Sequence, residues 1–109
     1  MKFGIQHPNF SYDGQGVEIP VSLRRLATQA ESSGFDSFWV MDHFHQIRNV
    51  GEPEEAMLEG WTTLSNVAGF TSRIKLGTMV TGIVYRYPSV LAKIGATLDV
   101  LSQGRLFMA

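Results

Sequence analysis

Residues 34–44 read GFDSFWVMDHF, and the order of residue types in that stretch decides the fold class. Gly34 is a helix stop. Ser37 to Met41 (SFWVM) then forms a compact apolar run, partly β-branched and aromatic, too short for a helix and ended by Asp42, so it reads as a buried strand. Upstream, Leu23, Leu26, Ala27 and Ala30 fall at helical spacing behind Pro20, a residue suited to a first helical turn. Lys2 to His7 (KFGIQH) alternates Phe3 and Ile5 with polar neighbours and stops at Pro8-Asn9, as a short strand does; Asp13-Gly14 and Gly16 keep the following loop irregular.

Downstream of the central stretch, His43 to Ala56 is a long loop. Leu58, Trp61, Leu64, Val67 and Ala68 then hold a helical apolar face to about Thr71. Ile74 to Val80 (IKLGTMV) is a third strand. Pro88 opens a helical pattern through Leu91, Ile94, Leu98 and Leu101 that stops near Gly104, and Arg105 to Ala109 begins a fourth strand. Strand and helix alternate along the whole chain, which implies an α/β fold with a parallel sheet and right-handed crossovers.

Composition narrows the function. The 109 residues can bury one hydrophobic core, whereas a closed eight-stranded barrel takes roughly 250. With 44% hydrophobic and 17% charged residues the chain is ordinary globular protein. Its nine Lys and Arg are scattered, so no stripe exists for tracking a phosphate backbone and no nucleic-acid partner is expected. The absence of cysteine removes disulfides and thiolate metal sites. No signal peptide or membrane-length apolar run is visible, so a cytoplasmic location and no membrane partner are the expectation.

Parallel strands bring their C-terminal ends to one face, where ligands of such folds bind. The loops after His7, Met41 and Val80 therefore converge, which selects Asp42, His43, His45 and the segment from Thr78 to Tyr85. Each has a plainer reading. Asp42 could cap the next turn or pair with a cation. His43 and His45 supply only half of a tetrahedral metal site, with no further His or Cys at ligand spacing, so no metal is expected. His7 reads as strand-end packing, Phe38 and Trp39 as core, and Arg86 as either an anion clamp or a solvated helix-flanking residue. No phosphate-binding glycine loop and no nucleophile elbow occurs.

A set of short motifs runs through the chain in order: GFDS (34–37), WVMDHF (39–44), LEGWT (58–62), RIKLGTMVT (73–81), RYP (86–88), LAK (91–93), TLD (97–99) and SQGR (102–105). Together they resemble the luciferase-like monooxygenase family, in the branch that uses the deazaflavin coenzyme F-420. The resemblance implies the N-terminal portion of a (β/α)8 TIM barrel, with residues 1–109 truncated in the fourth strand. It implies a flavin- or deazaflavin-dependent oxidoreductase or monooxygenase acting on a small-molecule substrate, with coenzyme F-420 as cofactor and FMN as the alternative.

By the same resemblance Asp42 contacts the cofactor, His43 assists proton transfer, and Met79, Val80 and Thr81 back the ring. Family dehydrogenases acting on a sugar phosphate carry a tryptophan where this sequence has Ile47, which argues against that substrate. Their acidic catalytic partner and glycine-rich cofactor loop would lie past Ala109, so the 109 residues alone are expected to be inactive. Unpaired strand edges would offer a route to homo-oligomers. The alternative reading is a non-catalytic binding or assembly module derived from such a domain. The family also implies a cis peptide at Met79-Val80, which an incomplete barrel would leave free to relax to trans.

Overall fold

The computed structural model describes residues 1–12 and 18–109; Asp13-Gly14 and Gly16, expected to keep the first loop irregular, lie outside the described residues. Four strands form, β1 (Gly4–His7), β2 (Ser37–Val40), β3 (Lys75–Thr78) and β4 (Leu106–Phe107), separated by α1 (Ile19–Ser32), α2 (Gly60–Ala68) and α3 (Pro88–Leu101). They pair in the order β1-β2-β3-β4, each parallel to its neighbour. When every strand lies beside its predecessor, right-handed crossovers place all the helices on one face of the sheet. The core agrees, since Leu23 and Ala27 of α1, Leu64 and Val67 of α2 and Leu91 and Leu98 of α3 pack in one cluster with Phe38, Val40 and Leu76. This is the winding of a barrel wall; a doubly wound sheet would reverse its strand order and carry helices on both faces.

The two-residue period of a strand splits the central apolar run. Phe38 and Val40 face the helices and are buried, and each such side chain contributes roughly 1.5–3 kcal/mol by leaving water. Trp39 does not join them. Half-buried on the opposite face, it stacks on Phe107 at 5.9 Å and donates its indole N–H to Ser37 Oγ at 2.8 Å. The expectation of core thus holds for Phe38 and is corrected for Trp39, which lies on the side that a barrel turns inward.

The observed ends explain where each element stops. Gly34 follows α1 at φ 87°, a left-handed conformation that only glycine adopts at little cost, and Gln103 and Gly104 close α3 at 59° and 77°. Helix α2 ends at Ala68 rather than near Thr71, whose hydroxyl donates to Val67 O at 2.8 Å. The third strand stops at Thr78, two residues before Val80, because the chain turns there.

Two side chains tie the N-terminal ends of the strands together. Glu31, late in α1, accepts three backbone N–H groups on one oxygen, from Ser72 (2.9 Å), Arg73 (2.6 Å) and Ile74 (2.9 Å). Partial burial pushes its pKa upward, but these bonds and the Arg73 charge outweigh that and lower it. Arg105 is buried, giving Nε to Ser102 O (2.7 Å), Nη1 to Thr71 Oγ1 (2.9 Å) and Ile74 O (3.2 Å), and Nη2 to Ala68 O (3.0 Å). The guanidinium thus satisfies Ala68 O at the C-terminus of α2 and Ser102 O at that of α3, carbonyls that the helices leave open.

Candidate functional site

At the opposite edge, β2 and β3 deliver their following residues side by side. Val40 pairs with Thr78, so Asp42 and the turn after Thr78 leave the sheet as neighbours. Met79 N donates to Val40 O (2.8 Å), Thr81 N to Ala109 O (2.9 Å), and the Thr78 and Thr81 hydroxyls bond each other at 2.6 Å. The Met79-Val80 peptide bond is cis. The family resemblance implies this cis bond for the complete protein, and it is cis in these 109 residues too, where the sequence reading left it free to be trans. With Met79 and Thr81 amides bonded inward, the turn shows the side chains of Met79 and Val80 outward, 43% and 65% exposed.

Asp42 is placed differently from the open cofactor ligand that its position suggests. Its side chain is fully buried. Oδ2 accepts from Gly82 N (2.9 Å) and Arg86 Nη1 (2.7 Å), and Oδ1 accepts from Arg86 Nη2 (2.8 Å). Arg86 is the cation that the plainer reading of Asp42 required. Its Nη2 also bonds Glu59, whose carboxylate caps α2 by accepting from Trp61 N (3.2 Å) and Thr62 N (2.7 Å). Gly60 permits this convergence, because a Cβ there would lie 3.1 Å from Met41 O and 3.3 Å from Asp42 Oδ1.

The charges respond to one another. Its hydrogen bonds to Asp42 raise the Arg86 pKa further, against the effect of burial, so the guanidinium stays cationic. Burial pushes Glu59 up, yet its bonds from Thr62, Trp61 and Arg86 prevail and its pKa falls. Beside this cluster Phe44 stacks on Tyr85 at 4.4 Å, and the Arg86 guanidinium sits 5.9 Å from the Phe44 ring centre.

His43 is half-buried next to Asp42 and His45 is exposed. Among the described residues, no three His, Asp or Glu side chains gather as a metal site, and no helix is long and apolar enough to cross a membrane. His7 ends β1 on the helix face, edge-on to Phe10 and bonded to Tyr12 Oη at 2.7 Å, and burial lowers its pKa. That is the packing role expected of it. The loops after β1 and β2 are joined by Gln46, which donates to Pro8 O (3.1 Å), and by Glu55, which accepts from Asn9 (2.9 Å) and Ser11 (2.8 Å).

The structure therefore brings Asp42, His43, Met79, Val80, Thr81 and Gly82 to one edge, and adds Glu59 and Arg86, which the sequence alone does not connect to them. Glu59 and Arg86 were both inside quoted motifs. A hollow of about 760 Å³ lies elsewhere, between α2 and α3, and meets this cluster only at Glu59 and Arg86.

A singly wound parallel wall with a built cluster at its C-terminal strand ends defines the class: a portion of a TIM-barrel wall. The chain belongs to the luciferase-like monooxygenase family, whose model matches residues 1–109. It is 43% identical over 91 residues to an F420-dependent glucose-6-phosphate dehydrogenase of Kineococcus radiotolerans, covering 82% of this chain and 26% of that protein. It is 34% identical over 107 residues to a phthiodiolone/phenolphthiodiolone dimycocerosates ketoreductase of Mycobacterium tuberculosis, covering 83% and 28%. Among solved structures, the coenzyme F420-dependent tetrahydromethanopterin reductase of Methanopyrus kandleri superposes with a TM-score of 0.75 at 29% identity, covering 98% of this chain and 26% of that one. The chain thus spans about a quarter of the length of these relatives.

Proposed function

We propose that the protein carrying these residues is an oxidoreductase that binds coenzyme F-420, with FMN as the alternative, and acts on a small-molecule substrate. The observation that carries the proposal is the meeting of the β2 and β3 exits, where the exposed apolar Met79 and Val80 follow one strand and the half-buried His43 follows the other. Exposed apolar side chains beside carboxylates that are already paired with Arg86 suit a flat heteroaromatic ring better than a metal ion. The names of the Kineococcus and Methanopyrus relatives support the deazaflavin over FMN.

When bound, the cofactor supplies the hydride chemistry. Met79, Val80 and Thr81 back the ring, Asp42 belongs to the same holding group, and His43 holds or passes a proton at the reacting centre. Residues 1–109 contribute three βα units and the start of a fourth strand in this reading. Titration of the full-length protein with F-420 and with FMN, followed by cofactor fluorescence, is the test. Binding of F-420 in preference to FMN is expected; preference for FMN would move the protein to the flavin branch, and binding of neither would overturn the proposal.

A further inference from the structure

The Asp42 carboxylate reaches the ligand edge only through other groups. Both of its oxygens are engaged by Arg86, one also by Gly82 N, and its side chain is fully buried, so what it controls is where Arg86 and the 79–85 loop sit. Arg86, which ends the loop that begins at Met79, in turn touches two other groups: the Glu59 cap of α2 and the Phe44 ring after β2. Gly82 lies close under Tyr85, whose N–H donates to Gly82 O at 3.1 Å, and Tyr85 stacks on Phe44. A planar guanidinium holding two carboxylates from different elements fixes direction as well as distance, which a lysine ammonium does not.

We infer that Arg86 is a positioning residue: the Asp42–Arg86–Glu59 bridge sets the 79–85 loop, and with it the Met79-Val80 pair, and Asp42 acts on the cofactor through that bridge rather than by contact. The inference rests on the function proposed above. It assigns no chemistry to Arg86, whose charge is already shared between two carboxylates and whose side chain is only 10% exposed.

The test uses the full-length protein with Arg86→Met, Arg86→Lys, Asp42→Asn and the double variant Asp42→Asn/Arg86→Met, the last removing both buried partners so that neither charge is stranded. Two readouts are taken. Amide exchange without ligand should rise at residues 79–86 in Arg86→Met and Arg86→Lys while β1 to β3 keep their protection. Cofactor affinity should fall roughly tenfold to a hundredfold in Arg86→Met, the scale on which a small misplacement acts.

The double variant separates positioning from plain stability. It should regain thermal stability yet bind no better than Arg86→Met, and Asp42→Asn should cost little more in the Arg86→Met background. Recovery of affinity along with stability, or additive losses from Asp42 and Arg86, would overturn the inference. Unchanged exchange at 79–86 would also overturn it. If the wild-type protein binds neither F-420 nor FMN, the proposed function falls, and the exchange readout still decides whether Arg86 sets the loop.

Discussion

Two arginines, at opposite ends of the same sheet, are held in opposite ways. Arg105, at the N-terminal ends, is buried among three backbone carbonyls and one hydroxyl. Arg86, at the C-terminal ends, is gripped by two carboxylates on the edge that carries the exposed apolar Met79 and Val80. Burial lowers the pKa of the first, whereas its bond to Asp42 raises that of the second. The first arrangement closes helix and strand ends against each other and leaves nothing presented outward. The second holds a mobile type of element, a loop, in a fixed place next to surface that a ligand could use. In a βα barrel that is the division expected between a stabilising face and a working face.

The sharpest way to break this comparison is at Arg105. Arg105→Met removes every donor from the three carbonyls and Thr71, so it should cost about 3 kcal/mol of unfolding free energy in urea. The fraction that stays folded should bind cofactor as the wild type does. A matching loss of affinity would mean that the two faces are not separable.

A smaller effect is expected at Glu31. Glu31→Gln keeps an acceptor but loses the charge that strengthens three backbone bonds, and because the site is partly exposed the loss should be about 1 kcal/mol. Since the folded-state pKa of Glu31 is depressed, its contribution is present above the ordinary carboxylate pKa and is lost as pH falls through the folded value. Stability of wild type minus variant should therefore narrow on acidification. A difference that widened would contradict the assignment of those bonds.

The sequence exposes the elements more readily than their partners. Alternating apolar runs locate all four strands and three helices, and Gly34 and Gly104 mark two helix ends because left-handed backbone is a local property. The sequence carries the third strand through Val80 because Met79 and Val80 are apolar; their exposure shows that hydrophobicity there does not serve the core. Trp39 was misplaced for a related reason, since an apolar run does not say which of its faces the helices cover. Asp42 was singled out by topology, but its cation was not, because Arg86 lies 44 positions away and Glu59 another segment apart. Such pairing is a product of the fold, and one dimension carries no trace of it beyond the presence of each residue in a motif.

The most direct measurement is a hydrogen-exchange footprint of the full-length protein with and without saturating F-420. Cofactor should slow exchange at residues 42–46 and 79–86, at the exits of β2 and β3, and leave the amides of Ser72, Arg73 and Ile74 and the turn at 102–105 unchanged. Protection centred on the Glu31 and Arg105 end, with the 79–86 loop unaffected, would contradict the account.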